Sequence, residues 1–406
     1  MLETTFIRKL LRLKAHKVTQ VDQTETEVVI YIDRLGLRLL RCGVCRLRCR
    51  KVHERRKKLR EWRDLKLRDR RTLLRYQPYR VDCPRCGVRV EHFPWAEPWA
   101  RVTRALAHAV AVLARQLSGL ETARHYQLNW KTVAHVVRQA VAYGLRHRQR
   151  RPLHVLGIDE VSRRKGHHYL TVVYDLERHV LLWVGQERTS ETLAGFFREL
   201  GRRRCSTIHT VCMDMWPAYV GAVQEHAPQA QILFDRFHVV QHLNHALDLV
   251  RRREVRRLTG KEKVALKKTR LLLLKNPWNL KPAEKNRLSL LVRWNLPVVR
   301  AYYLKEAFQL FWDYQQPARA ETHLRRCLHS AMRSRLEPFK EFVRMLRAHL
   351  DGVLAWTRAR VSNGALEGMN NKIKIVSHRS YGFRDARNYI PAIYHSCAQL
   401  PLPAEM

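Results

Sequence analysis

Residues 153–187 read "LHVLGIDEVSRRKGHHYLTVVYDLERHVLLWVGQE". Three short runs within them, "LHVLGIDEV", "HYLTVVYDLE" and "HVLLWVGQE", are β-rich and separated by polar, turn-like pieces, which predicts three consecutive strands. The texture then changes. "SETLAGFFREL" has helical spacing, "IHTVCMDM" reads as a strand, "WPAYVGAVQEHA" as a helix and "QILFDRFHVV" as a further strand, so strands and helices now alternate.

Three strands followed by this alternation is the element order of a ribonuclease H-like α/β fold. Asp159 ends the first strand and Asp214 the fourth, so a sheet that sets those strands side by side carries both carboxylates to one edge. Glu160 should point to the opposite face, because strand side chains alternate. A third carboxylate, Glu367, stands in "SNGALEGMNNKIKIVSHRSYGF" (362–383). With Asn363, Asn370 and Asn371 it falls at helical intervals, so one helix face presents it beside amides. Three converging carboxylates bind hard divalent cations through oxygen, and two such ions about 3.5–4 Å apart serve phosphoryl displacement. Asp235, just before Arg236 and His238, is either a further partner of this group or a structural strand-end carboxylate.

The chain holds 406 residues, with 78 Lys and Arg against 36 Asp and Glu, a net charge of +42. That length implies more than one domain. The charge exceeds what solubility requires and points to a polyanion, above all nucleic acid. No apolar stretch is long enough to span a bilayer and no signal peptide is evident, so an intracellular, cytoplasmic protein associated with the nucleoid is expected.

Nine cysteines do not suggest a disulfide framework in so basic a chain. Cys42 and Cys45 in "CGVC" pair instead with Cys83 and Cys86 in "CPRC", two tight thiolate turns of the kind that hold structural Zn2+; simple reduced thiols are the alternative. The 37 residues between Cys45 and Cys83 are many for a compact ribbon, which leaves Cys49 and His53 as substitute ligands. Residues 41–80 carry 17 Lys or Arg and 4 Asp or Glu, interleaved with Trp62, Tyr76 and Tyr79. Such a run predicts DNA contact, with Arg55, Arg56, Lys57 and Lys58 at its centre.

Upstream of the carboxylates, "VTQVDQTETEVVIYIDRLGLRLL" (18–40) predicts a β-hairpin. "RVTRALAHAVAVLARQLSGL" and "ETARHYQLNWKTVAHVVRQAVAYGL" predict helices arranged as a helix-turn-helix. Ala123 is small where helices would cross, Leu128 and Asn129 fall at the turn, and Lys131, Thr132, His135 and Arg138 would line the recognition helix; a plain helical hairpin has the same apolar spacing. Asp214 and Glu367 lie 153 positions apart, and residues 245–358 are helical in texture, an all-α insertion with Trp278, Trp294 and Trp312 read as core. The expected division is a hairpin and zinc-binding basic module (1–98), a helix-turn-helix (99–150), the first part of the core (151–244), the insertion (245–358), and a catalytic helix with tail completing the core (359–406).

"GIDEV", "DMWPAY", "DRFHVVQHLN" and "SNGALEGMNNKIKIVSHRSYGF", in that order behind paired CxxC turns and a helix-turn-helix, resemble the ISL-three (ISL3) family of bacterial insertion-sequence transposases over nearly the whole chain. The resemblance implies a DDE transposase in which Asp159, Asp214 and Glu367 match the acidic triad and hold two Mg2+ or Mn2+ ions. It further implies that the enzyme acts on its element's terminal inverted repeats, cutting DNA and transferring the strand, with at least a dimer bringing two ends together. Lys372, Lys374, Arg379 and Arg384 then suit phosphate contact. Two other readings are a non-enzymatic DNA-binding regulator, which leaves the strand-end carboxylates unexplained, and a ribonuclease H-like nuclease, which needs no pair of sequence-reading modules.

Overall fold

The computed structural model describes residues 2–13, 15–37, 40–164, 168–359 and 364–403. They form two compact units, residues 1–149 with 375–406, and residues 150–374. Residues 375–406, expected to complete the catalytic core, thus fold with the N-terminal modules.

The first unit opens with helix α1 (Leu2–Leu10) and the predicted hairpin, β1 (His16–Gln23) paired antiparallel with β2 (Glu27–Arg34). β3 (Lys51–Arg55), β4 (Arg60–Arg63), β5 (Arg71–Tyr76), β6 (Tyr79–Cys83) and β7 (Gly87–Val90) follow. They sort into two sheets, ordered β1-β2-β5-β4 and β3-β6-β7. The long gap between the CxxC turns is thereby explained, because it houses two strands, β4 and β5, that belong to the other sheet. Alternation in β2 and β5 buries Ile30, Ile32, Leu74 and Tyr76 against Trp62, Phe93 and Trp95. Trp62 and Tyr76 are therefore core, not DNA-facing aromatics. Beneath them Glu91 is buried, paired with Arg34 and accepting from Tyr76 Oη (2.7 Å) and the Tyr79 amide (2.9 Å). A charge so placed is tolerable only because each oxygen has a donor.

Helices α2 (Arg104–Leu113), α3 (Gly119–Tyr126) and α4 (Trp130–His147) complete the N-terminal part. Each start is capped by a side chain, Thr103 for α2, Ser118 in a reciprocal capping box with Glu121 for α3, and Asn129 for α4. Between α3 and α4 the chain turns through Gln127 in the left-handed region (φ 52°), and Ala123 is buried where the helices cross.

The second unit is built on a five-stranded sheet. β8 (Val155–Arg164), β9 (His168–Asp175) and β10 (Val180–Gln186) are antiparallel, while β11 (Thr210–Met213) and β12 (Gln231–Phe234) run parallel to β8, in the order β10-β9-β8-β11-β12. Helices α5 (Ser190–Leu200), α6 (Arg202–Cys205) and α7 (Pro217–His226) connect them. The last strand is shorter than its apolar run suggests. It stops at Phe234, and Asp235 caps a long helix, α8 (Arg236–Arg257), by accepting from the Phe237 amide at 2.7 Å.

From α8 the chain proceeds through α9 (Gly260–Leu266), α10 (Arg270–Leu274), α11 (Pro282–Arg293), α12 (Pro297–Gln309), α13 (Pro317–Arg333), α14 (Glu337–Arg347) and α15 (Leu350–Ala359). This insertion shares one apolar core with the sheet. Ile158, Val211 and Phe234 belong to the same cluster as Leu243, Tyr302, Phe311, Leu324 and Phe342. Gly352 lets α15 close on β12, since a Cβ there would sit 2.4 Å from the Phe234 ring. The segment is therefore part of the fold and not a removable appendage. Trp312 is buried and Trp294 half-buried against this core, but Trp278 is exposed, contrary to expectation. Among the described residues no helix is long and apolar enough to cross a membrane.

Helix α16 (Gly364–His378) begins in the second unit, and its residues from Ile375 on belong to the first. Within the first unit α17 (Ala386–Cys397) then packs on α4, and the buried His395 donates from Nε2 to the Ala111 carbonyl at 2.7 Å. Burial holds the His395 ring neutral, its pKa lowered to about 4. An unfolded histidine takes up its proton near pH 6.5, so between roughly 6.5 and 4 the unfolded chain binds the extra proton and stability falls as pH falls. His395→Gln should flatten the pH dependence of the first unit's melting over that window, by about 3 kcal/mol at its acid end; identical pH profiles of Tm for the two proteins would refute this.

Candidate active site and nucleic-acid interface

Register, not proximity in the chain, assembles the carboxylates. Thr210, Val211 and Cys212 pair with Val155, Leu156 and Gly157, and the same offset carried two residues past the last pair, just beyond the end of β11, sets Asp214 opposite Asp159. β12 continues the row, with Met213 beside Phe234, so Asp235 follows at the end of the third parallel strand. Asp214 and Asp235 thus follow the carboxyl ends of β11 and β12, the crevice where open α/β sheets place ligands. Asp159, by contrast, lies in mid-strand, since β8 runs on to Arg164 paired with β9 and does not end at Asp159 as expected.

Their surroundings are specific. Asp159 accepts from the Glu160 amide (2.7 Å) and from Asn370 Nδ2 (2.5 Å), and Asn370 in turn accepts from Tyr174 Oη (2.8 Å). Asp214 accepts from the Met215 amide at 2.6 Å. His238, in the first turn of α8, bridges Asp214 (3.7 Å) and Asp235 (4.0 Å). Burial pushes the carboxyls of Asp159 and Asp235 above the usual range, and neighbouring carboxylates add to the effect. Clustered negative charge on buried groups calls for a cation.

The Asp214 charge also reaches two more histidines. Burial lowers the pKa of both His242 and His349, while the Asp214 charge works the other way. Sequence reasoning missed them. The signal for His242 was its spacing from His238, one helical turn in "HVVQH"; His349 lies too far along the chain to carry any.

On the other face of β8, Glu160 pairs with Arg188 at 2.9 Å, consistent with the expected alternation. Burial raises its carboxyl to about 7, Arg188 working against the rise and Asp159 with it.

Glu367 is exposed on α16. Its neighbours anchor that helix. Leu366 lies so close to Gly157 that a Cβ on the glycine would come within 2.7 Å of it, and Asn370, one turn beyond Glu367, holds Asp159. Asn363 lies outside the described residues. Among those, Asp159, Asp214 and Glu367 do not draw within 4.8 Å of one another as a set. A two-ion site does not demand that. With ions about 4 Å apart and oxygens about 2.1 Å from each, outer ligands can stand roughly 8 Å apart.

A tight metal-binding geometry occurs elsewhere. The sulfurs of Cys42, Cys45, Cys83 and Cys86 all lie within 4.8 Å of one another, with Cys45 and Cys83 3.4 Å apart. Tetrahedral Zn2+ with bonds of about 2.3 Å requires sulfurs about 3.8 Å apart, so the donor set fits. Although burial opposes it, the Arg85 and Cys86 amides help lower the Cys83 thiol to about 6. Cys49 packs beside the four, but burial and the surrounding thiols raise it to about 11, the behaviour of a neutral thiol. Neither Cys49 nor His53 joins the set.

The basic residues divide. Arg56, Lys57 and Lys58 are exposed in the turn between β3 and β4, whereas Arg55 pairs with Asp33 (2.8 Å) and lies over the Tyr79 ring. Lys131, Thr132 and His135 line a groove of about 690 Å³ beside α4, together with Trp99. Arg138 sits on the flank and donates to Asn388 at 2.8 Å. Lys372 and Lys374 are exposed. Arg379 is not a free phosphate ligand. Its guanidinium donates to the carbonyls of Arg115 (2.9 Å) and Gln116 (2.8 Å) and to Ser396 Oγ (2.7 Å), clasping the first unit together.

Carboxylates gathered across three parallel strands, a helix-turn-helix and a basic surface together define a DNA-processing enzyme of the DDE transposase class. Residues 156–393 match the model of a transposase domain, and residues 91–141 that of the helix-turn-helix domain of transposase family ISL3. The chain is 33% identical over 352 residues, 86% of each chain, to the transposase for insertion sequence element IS1001 of Bordetella parapertussis. It is 30% identical over 376 residues, 87% of this chain and 84% of the relative, to the transposase for insertion sequence element IS1557 of Mycobacterium tuberculosis. The protein belongs to the ISL3 family of transposases, enzymes that bind DNA, cut it and transfer the strand.

Replacing Lys57 and Lys58 by Ala should weaken DNA binding and reduce the slope of log K against log salt by about 1 per residue. Arg379→Ala should leave that slope unchanged and instead lower the Tm of the first unit. Salt titrations and thermal melts of the three proteins check the division, which an altered slope in Arg379→Ala would contradict.

Proposed function

We propose that Asp159, Asp214 and Glu367 are the catalytic carboxylates of this transposase, on a ribonuclease H-like core, and that its substrates are the terminal inverted repeats of its own element and a target duplex. The observation that carries this is the register that sets Asp214 abreast of Asp159, with α16 locked over Asp159 by Asn370. The sheet order β10-β9-β8-β11-β12, antiparallel then parallel, supports the fold reading.

Two Mg2+ ions held by these carboxylates would supply Lewis-acid activation of the attacking oxygen and neutralise charge on the leaving one. The chain's own residues do the rest. Asn370, fixed by Tyr174, orients Asp159. His238 positions Asp214 and Asp235 relative to each other. Lys372 and Lys374 contact the DNA backbone. In the first step a water oxygen attacks phosphorus and the 3′ oxygen leaves as a hydroxyl, with phosphate remaining on the 5′ end. In the second, that 3′ hydroxyl attacks a target phosphodiester and one new P–O bond replaces another.

Lys131, Thr132, His135 and the Arg56–Lys58 turn read and grip the repeat, and Zn2+ on Cys42, Cys45, Cys83 and Cys86 stabilises the module that carries the turn. Joining two ends requires at least a dimer, acting on DNA in the cytoplasm.

Asp159→Asn, Asp214→Asn and Glu367→Gln should each lower cleavage of a repeat-end duplex by at least about 1,000-fold, the scale of a single charge-stabilising group, while changing end binding less than twofold. Asn370→Ala should cost about 10–100-fold, as outer-shell partners do. Full cleavage by any of the three carboxylate variants would sink the assignment. The purified chain should also carry one Zn2+ per molecule by atomic absorption, and chelation should melt the first unit; metal-free protein of unchanged Tm would argue otherwise.

A further inference from the structure

Two residues beyond Asp214, Trp216 occupies the turn into α7 and keeps 37% of its surface exposed. Its backbone is fixed, since its carbonyl accepts from the amides of Tyr219 (3.0 Å) and Val220 (3.1 Å) and Pro217 follows as the first helical residue. Its ring is fixed too. The guanidinium of Arg188 lies 3.9 Å from the centroid, near the Tyr169 ring at 5.7 Å, and Glu160 holds it by an ion pair at 2.9 Å. Isolated exposed aromatics are common and mean little. This one differs in being clamped by a cation while standing two residues beyond Asp214, where an exposed apolar side chain has no structural need to be.

Two residues of chain span at most about 7 Å, so the Trp216 backbone stands within one nucleotide's length of Asp214, while its ring lies with Arg188 toward the Glu160 face of β8. An indole backed by a guanidinium is an efficient stacking surface for a nucleobase, because every base has a π-face and Arg adds a cation–π contribution. We propose that Trp216, backed by Arg188, is a stacking platform that receives one unpaired base next to the scissile phosphate at the element's end. The inference rests on the catalytic reading above and deepens it. Trp216 holds the end open and sets the strand's position, while Arg188 and Glu160 hold Trp216. The base it takes is recognised by its π-face, so the site tolerates sequence and selects an unstacked nucleotide.

The test uses the full-length protein and repeat-end duplexes carrying 2-aminopurine at each position flanking the cleavage site. Wild-type protein and Trp216→Phe should stack and quench the probe at one position, and Trp216→Ala should leave it bright. Trp216→Ala should cut the intact end about 5- to 150-fold more slowly, the span that loss of one base–aromatic stack covers. An abasic nucleotide at the quenched position should erase the difference between Trp216→Ala and wild type. A wild-type enzyme that changes the probe at no position would overturn the proposal without any variant, and so would an equal loss in Trp216→Ala on intact and abasic ends. Failure of the catalytic reading would look different: Asp214→Asn would cut normally while the Trp216-dependent quenching persisted.

Discussion

The parallel pairing of β11 with β8 is the constraint on which the site depends. A shift of one residue in that ladder would turn Asp214 to the opposite face from Asp159, because side chains alternate along a strand. The register is held from both sides of the sheet. Ile158, Val211 and Met213 point into the core with α5 and α7, while Gly157 admits Leu366 of α16. Hydrophobic burial on one face and a missing side chain on the other therefore fix where two charges meet. The carboxylates themselves repel and could not choose this arrangement unaided.

The insertion belongs to the same logic. α8 starts at Asp235, the third carboxylate of the row, and brings His238 and His242 to Asp214. At its far end His349 packs edge-on against the Phe234 ring of β12, 4.9 Å between centroids, and the Asp214 charge reaches it just before α15 closes on that strand. The long excursion between Asp214 and Glu367 thus leaves from the site and comes back to it, and its apolar faces fuse with the core of the sheet.

Much of this was legible in the sequence, and the exceptions share causes. Strand periodicity put Asp159 on β8 and Asp214 just past β11, although β8 runs on beyond Asp159; the CxxC spacing located the thiolate set, and helical spacing with Leu128 and Asn129 at the turn marked the helix-turn-helix. Asp235 was harder, because an apolar run continuing through Phe237 looks like strand although Asp235 favours a helix start. Arg379 and Arg55 show why a count of cations overstates a DNA surface, since a guanidinium that satisfies carbonyls or a carboxylate in the fold looks no different in the sequence from one that awaits a phosphate. Trp62 and Tyr76 sit among arginines in the chain yet point inward, because strand neighbours alternate. Trp278 failed in the opposite sense. The assignment of residues 375–406 to the first unit depends on buried contacts of His395 and Arg379 with residues more than 250 positions away, which no local pattern encodes.

The most direct measurement is anomalous diffraction from crystals of the protein grown with Mn2+ and a duplex of its terminal repeat. The account predicts two peaks about 3.5–4 Å apart, both within bonding distance of Asp159 or Asp214 and one of them ligated by Glu367. Peaks elsewhere in the molecule, or Glu367 remaining out of reach of either ion with DNA bound, would contradict it.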